Sequence, residues 1–492
     1  MTRAAEPALE DRTLDPADWG ATRALGHRML DDMFEFLETV RDRPAWQSPG
    51  EDARRAFNRP LNDAPAALAD IYRDFRDHIL PFTLGNTHPR FWGWVNGTGT
   101  AAGMLADMLA SGLNGHVAFG DHAGVYVEQQ VLRWLARLLD LPDDATGVLV
   151  SSGSVANLTG LTVARDTMFP EMLARGVGAE AGSPVVYTSD QAHNSIDKMA
   201  GVLGIGRNHV RRLPAAGDFT CDVNALAAAI ARDRAAGLRP MCIVGTAGTV
   251  NTGAIDDLPA LAALAAREGL WFHVDAAFGA ALAVSPTHRR LLRGIERADS
   301  VAFDLHKWFY VPYDVGCVLV RHPGAQAYSF SPPAAYLEPM PRGIAAGGLA
   351  FGSLGLDLSR SFRALKVWMS LQHYGTSGYA VLIDQNVAQA RYLADNIEHS
   401  AELELLAPVV TNIVCFRHRG GGLDAESLDD LNREIVMTLH ERGIAAPSFT
   451  RIGGAFAIRV AITNHRSRRA DFDALLDAVK SIAAERLHTN SR

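Results

Sequence analysis

Residues 270–307 read LWFHVDAAFGAALAVSPTHRRLLRGIERADSVAFDLHK, with two short apolar runs, LWFHV and SVAF, each closed by an acid. Runs of four or five residues rich in aromatic and β-branched side chains, bounded by polar ones, predict buried strands. An alanine- and leucine-rich segment separates them. The same alternation extends outward through GVLV (147–150), VVYT (185–188), CIVG (242–245) and GCVLV (316–320). It predicts an α/β fold with a mostly parallel central sheet and helices on both faces.

Around this core the chain divides into three parts. Residues 1–85 read as a helical segment, with apolar residues at helical spacing in LGHRMLDDMFEFLETVR and prolines at 44, 49, 60 and 65 as punctuation. Residues 86–375 form the large domain. Residues 376–492, with the runs NIVCF and AFAIRVAI, read as a small C-terminal α/β domain.

Composition narrows the class. The 492 residues are 48% apolar and 21% charged, an ordinary globular balance, and the net charge of −8 argues against a nucleic-acid binder. No apolar run is long enough to span a membrane. The opening MTRAAEPALEDR has no signal-like segment, so a cytoplasmic enzyme is expected. Cys242, Cys317 and Cys415 lie in apolar strand runs, which favours buried thiols over disulfides or a metal site.

In parallel sheets, ligands bind beyond the carboxyl ends of the strands. Here those ends lead into SSGSVANLTG, SDQAHN, TAGTVNTG, Asp275 and DLHK. Small residues at a helix start suit a phosphate dianion. Asp275, closing an apolar strand, wants a cationic partner such as a protonated pyridine nitrogen. Lys307, among Phe303, Trp308 and Phe309, can form an imine with an aldehyde. His193 can lie against a ring. Phosphate, pyridinium and aldehyde acceptors together describe pyridoxal 5'-phosphate.

These motifs, with HPRFWGW (88–94), HVDAAFGA, DLHKW and LSRSFRALKVWMSLQHYG (358–375), resemble the group II pyridoxal-phosphate-dependent amino-acid decarboxylases, the aromatic amino-acid decarboxylase family. The resemblance covers most of the chain, and Asp275 and Lys307 have the family's spacing. It implies fold type I and a homodimer with active sites at the subunit interface. It makes Lys307 the Schiff-base lysine, with His306 beside the cofactor. Asp275 is then the partner of the pyridine nitrogen, Ala277 packs under the ring and His193 stacks on its other face. Gly153 and Ser154 hold the phosphate, helped by Asp304 or Thr249. Trp94 and His116 fall at substrate-pocket positions, and an L-amino acid with an aromatic side chain is the expected substrate. The chain departs from the family pattern at Val155, where an acid is common, and at Val250, often threonine.

A larger departure precedes LSRSFRALK. Relatives that release an amine carry a tyrosine there, on a mobile loop closing over the partner subunit's site. An ungapped count puts Phe351 at that position, and the nearest upstream tyrosine is Tyr336. The glycines at 343, 347, 348, 352 and 355 fit a mobile lid. Two outcomes follow. If another acid such as Tyr336 protonates Cα, the product is an amine. If none does, dioxygen reacts and the product is an aldehyde, as in some relatives with phenylalanine here. Another lyase reaction of this fold, such as β-elimination, would use the same lysine and aspartate.

Overall fold

Residues 13–61, 63–178, 182–331, 340–347 and 350–490 are described by the computed structural model. They divide into two units, one of the residues up to Arg43 with Pro49–Thr83, the other of Pro44–Ser48 with the residues from Leu84 onward. Helices build the first unit. Its longest, Trp19–Glu38, starts at Asp18, whose carboxylate accepts the Ala21 N–H at 2.9 Å. The Tyr72 hydroxyl, on the helix Leu68–Asp74, donates to Asp32 at 2.5 Å.

The second unit holds two sheets. Its strands are β1 (Phe91–Trp92), β2 (Thr146–Val150), β3 (Pro184–Ser189), β4 (Val210–Leu213), β5 (Arg239–Thr246), β6 (Trp271–Asp275), β7 (Ser300–Asp304), β8 (Gly316–Val320), β9 (Leu403–Leu405), β10 (Ile413–His418), β11 (Ala446–Ile452) and β12 (Ala455–Ala461). The large sheet runs β2-β8-β7-β6-β5-β3-β4. Only β8 is antiparallel to its neighbours, β2 and β7. The six apolar runs of the sequence are all strands of this sheet. The seventh, β4 (VRRL), escaped the pattern because it is an edge strand with only Val210 buried.

Strands β5, β6 and β7 are buried along nearly their whole length, as continuous apolar runs in a covered parallel sheet should be. Being parallel, they deliver Thr246, Asp275 and Asp304 to one edge. Asp275 stands in register with Thr246 on one side and Ala302 on the other.

The small sheet runs β1-β11-β12-β10-β9. The sequence reading placed HPRFWGW in the large domain. Phe91 and Trp92 instead add a parallel strand beside Ala446 and Pro447, and Trp92 stacks on Phe472 at 4.9 Å. The helix Ala364–Glu398 serves both sheets. Val367, Ile383 and Val387 pack into the large core, and Ala390, Leu393 and Ile397 into the small one. Gly375 interrupts it with φ 64°, in the region where a side chain is strained. All four cysteines are buried and free. Among the described residues no helix is long and apolar enough to cross a membrane.

Candidate active site

Lys307 follows β7 by three residues, and its Nζ lies 2.8 Å from Asp304 Oδ2. The neighbouring Phe303, Trp308 and Phe309 are buried, while the lysine side chain stays 23% exposed. Its amine therefore emerges toward solvent from an apolar collar. Asp304 Oδ1 is buried without a hydrogen-bond partner among the described residues and lies 3.8 Å from His306 Nε2.

Gly153 opens the helix Gly153–Met168 directly beside this pair. A Cβ there would sit 2.6 Å from Asp304 Oδ2, so only glycine fits. Ser152 caps the helix through its hydroxyl, which accepts the Val155 N–H. The N–H groups of Gly153 and Ser154 keep no acceptor among the described residues, as an anion site at a helix start requires. A carboxylate cannot donate to a phosphate, so Asp304 acts as the lysine's partner rather than as the phosphate ligand expected. The other expected helper, Thr249, is fully buried. Its hydroxyl contacts Thr252 Oγ1 at 3.0 Å and accepts the Ala254 N–H at 3.1 Å, which ties it to its own turn.

Asp275 is buried with both oxygens engaged: Oδ1 accepts the Ala277 N–H at 3.0 Å and Oδ2 accepts Asn157 Nδ2 at 2.9 Å. The Ala277 carbonyl accepts the Asp304 N–H, joining the ends of β6 and β7. His193 Nδ1 accepts the Ser195 N–H at 3.2 Å, which leaves its neutral-form proton on Nε2. Its ring is open to the cleft, but the protein crowding its other sides lowers its pKa. Burial contributes most, the Asp275 charge opposes, and the Lys307 charge adds to the lowering. His306 is buried, its Nδ1 lies against the Val315 backbone, and the Tyr313 ring lies tilted against it with centroids 4.3 Å apart. Burial, ahead of the Asp304 charge that opposes it, lowers the His306 pKa as well.

The two expected substrate residues are both exposed. Trp94 is 60% exposed and has φ 51°, a left-handed backbone unusual for a tryptophan. Its carbonyl accepts from Arg459 Nη1 at 2.7 Å. His116 Nε2 contacts the Leu358 carbonyl at 3.0 Å. It lines a cavity of about 650 Å³ with Tyr313, Arg360, Arg363 and Lys366.

Phe351 lies elsewhere than expected. It is fully buried in the core of its own chain, in the turn Phe351–Ser353, with the Arg360 guanidinium 5.6 Å from its ring centroid. The neighbouring backbone is docked too: Gly352 N–H donates to Ala118 and Asp121 N–H to Ile344. A free lid carrying this ring is thus not what the described residues form. Tyr336 and Gly348 lie outside the described residues.

Three contributors were missed by the sequence reading. Asn157 sits one helical turn after Gly153, a spacing that puts both on one face. Arg212 donates to the Ala192 and His193 carbonyls and pairs with Asp197, clamping the loop that carries His193. Arg459 is the charged residue of the apolar run AFAIRVAI, and that anomaly was its signal. It is buried and donates to the Val250, Asn251 and Trp94 carbonyls and to Ser448 Oγ, while burial pushes its pKa down to about 10.

An amine, a carboxylate at a strand end, a helix start with free N–H groups and the exposed imidazole of His193 suit the parts of pyridoxal 5'-phosphate. The comparisons agree. The family described as "Pyridoxal-dependent decarboxylase conserved domain" matches residues 49–419. The chain is 32% identical over 467 residues to an aromatic-L-amino-acid decarboxylase of Bacillus atrophaeus, covering 94% of this chain and 95% of that one. A crystal structure of Oryza sativa TDC with PLP and tryptamine superposes with a TM-score of 0.90 at 27% identity, over 96% of this chain and 100% of that one. One of a Rhodiola rosea 4-hydroxyphenylacetaldehyde synthase gives 0.85 at 26% identity, over 96% and 99%.

Proposed function

This chain belongs to the pyridoxal-dependent decarboxylases, and we propose that it removes the α-carboxylate of an L-amino acid with an aromatic side chain and releases an aldehyde. Bound pyridoxal 5'-phosphate supplies the electron sink for the pair left by departing CO₂. The chain does the rest. Lys307 is the amine that anchors the cofactor, and Asp304 holds that amine at the cleft. Asp275 keeps a proton on the ring nitrogen, and Gly153 and Ser154 offer N–H groups to the phosphate. His193 Nε2 is the atom that can hold or release a proton beside the substrate.

The aromatic substrate rests on the exposed Trp94 ring and on the relatives' names. The aldehyde outcome rests on one observation: residues 337–373 contain no tyrosine. Without a phenol to protonate Cα, dioxygen takes two electrons and becomes hydrogen peroxide, while water completes the aldehyde and ammonia. The balance is amino acid plus O₂ plus H₂O to aldehyde, CO₂, NH₃ and H₂O₂. A second reading, release of the amine by the same subunit-interface homodimer, is favoured by Tyr313. Its phenol is partly exposed, lies against the His306 ring and donates to Asn96 at 2.7 Å.

The test is product analysis on L-phenylalanine, L-tyrosine, L-DOPA and L-tryptophan, with an oxygen electrode. Aldehyde with one O₂ consumed per turnover is expected. Stoichiometric amine with no oxygen uptake would refute the aldehyde reading and turn attention to Tyr313.

A further inference from the structure

Behind Asp275, on the side of the helix Gly153–Met168, runs a line of buried polar side chains unrelated to either product. Trp271 Nε1 donates to Ser300 Oγ at 2.8 Å, and Ser300 Oγ lies 2.7 Å from His273 Nδ1. His273 Nε2 lies 2.9 Å from Asn157 Oδ1, and Asn157 Nδ2 donates to Asp275 Oδ2 and, at 3.0 Å, to Ser195 Oγ. All these side chains are buried, in a core where an unmet polar atom is costly.

The direction of every bond follows from the acid at the end. A carboxylate only accepts, so the Asn157 amide must turn its NH₂ toward Asp275 and its oxygen toward His273. An amide oxygen only accepts, so His273 must carry its proton on Nε2. Burial lowers the His273 pKa to about 4, and the imidazole is therefore neutral, with a bare Nδ1 that accepts from the Ser300 hydroxyl. The indole donates last. Five side chains thus form one directed chain that ends on Asp275.

Room for the imidazole is built in. A Cβ on Gly160 would meet His273 Cε1 at 2.8 Å and Nδ1 at 2.9 Å, so a helix-weakening glycine stands where the ring packs.

We propose that His273 is a positioning residue that fixes Asp275 through Asn157, setting which carboxylate lone pairs remain for the cofactor's ring nitrogen. With Oδ2 held by Asn157 and Oδ1 by Ala277, the carboxylate cannot rotate to follow a displaced ring. The inference rests on the cofactor site alone and holds whether amine or aldehyde is released.

The test compares wild type with His273→Leu, His273→Gln and Ser300→Ala, each prepared without cofactor and titrated with pyridoxal 5'-phosphate. Three readouts are taken: the dissociation constant, the pH dependence of the bound cofactor's visible band, and the thermal midpoint of the apoprotein. His273→Leu strands the Asn157 oxygen and should weaken binding about 10-fold, with a shifted pH profile of the visible band. A glutamine Nε2 can replace the lost donor, so His273→Gln should return to within about 3-fold of wild type. A leucine variant that folds and binds with wild-type affinity and spectrum overturns the proposal. So does a glutamine variant as weak as leucine, since packing alone would then be at work. If the leucine variant does not fold, Ser300→Ala decides. It keeps the imidazole and its Nε2–H but removes the hydroxyl that holds Nδ1, loosening the ring against Asn157, so its affinity and band should shift in the same sense. An unchanged affinity and band overturn the proposal.

Discussion

Gly153→Ala adds a single methyl group, yet it should damage the site at its centre. The new Cβ would sit 2.6 Å from Asp304 Oδ2 and 3.1 Å from its carboxyl carbon, well inside ordinary contact. The carboxylate has little room to retreat. Lys307 grips Oδ2 at 2.8 Å, and on the other side the backbone of Gly316 is so close that a Cβ there would meet Oδ1 at 2.9 Å. Overpacking of this kind costs about 1–3 kcal/mol, partly offset by up to about 1 kcal/mol from replacing glycine in a helix. A net loss of about 1–2 kcal/mol should lower the apoprotein's thermal midpoint by roughly 1–2 °C in a chain of this length. The displaced Asp304 also pulls at Lys307, and the methyl crowds the N–H groups meant for the phosphate, so cofactor affinity should fall at least about 10-fold. The decisive assay is a double-mutant cycle with Asp304→Ala, read by thermal midpoint and by cofactor titration. Removing the carboxylate removes the clash, so the two substitutions should couple by about 1–2 kcal/mol. A Gly153→Ala protein with wild-type midpoint and affinity, or strictly additive variants, would refute this reasoning.

Two further outcomes are expected. Lys307→Ala should remove the visible absorption of the holoprotein and all turnover; it also strips the buried Asp304 of its cation, so the apoprotein should lose roughly 1–3 kcal/mol, and an unchanged apoprotein midpoint would contradict the pairing. His273 is held at a pKa of about 4 in the folded chain, below the ordinary 6.5, so the unfolded chain takes up its proton first as the pH falls. Its contribution is therefore intact above pH 6.5 and lost between about pH 6.5 and 4, by up to about 3 kcal/mol. Midpoints at pH 7.5 and 5 should fall less for His273→Gln than for wild type, and equal falls would count against the assignment.

The large sheet was legible because its inner strands are buried on both faces, and burial on both faces writes itself as an unbroken apolar run. LWFHV, SVAF and CIVG had no other reading. VRRL failed because an edge strand can keep its arginines: Arg211 and Arg212 pair with Asp233 and Asp197 from the same strand. Phe91 and Trp92 were not read as a strand for a different reason. Two residues carry no period, and their partner, Ala446–Pro447, lies some 350 positions further along the chain.

The site divides along the same physical line. Asp275, Lys307, His193 and Gly153 were readable as strand-end residues because each closes or follows a strand, and the parallel sheet fixes where strand ends go. Asn157 and His273 were passed over because their work is internal: their partners are each other, and nothing in a linear pattern says that a helix asparagine faces a strand histidine. Phe351 shows the limit most sharply. Counting back from Arg363 gives a residue's position along a loop but not the side of the backbone on which its ring falls. In this chain the ring falls inward, beneath Arg360, whose guanidinium is itself held by the buried Glu128 and the Val117 carbonyl. Burial raises the Glu128 pKa to about 7, against the pull of Arg360, so this pair is a costly arrangement to keep inside a core. A cation so placed has one evident effect on its neighbours. It pins the segment after the glycine-rich loop to the body of its own subunit, with an apolar ring, rather than a phenol, beneath it.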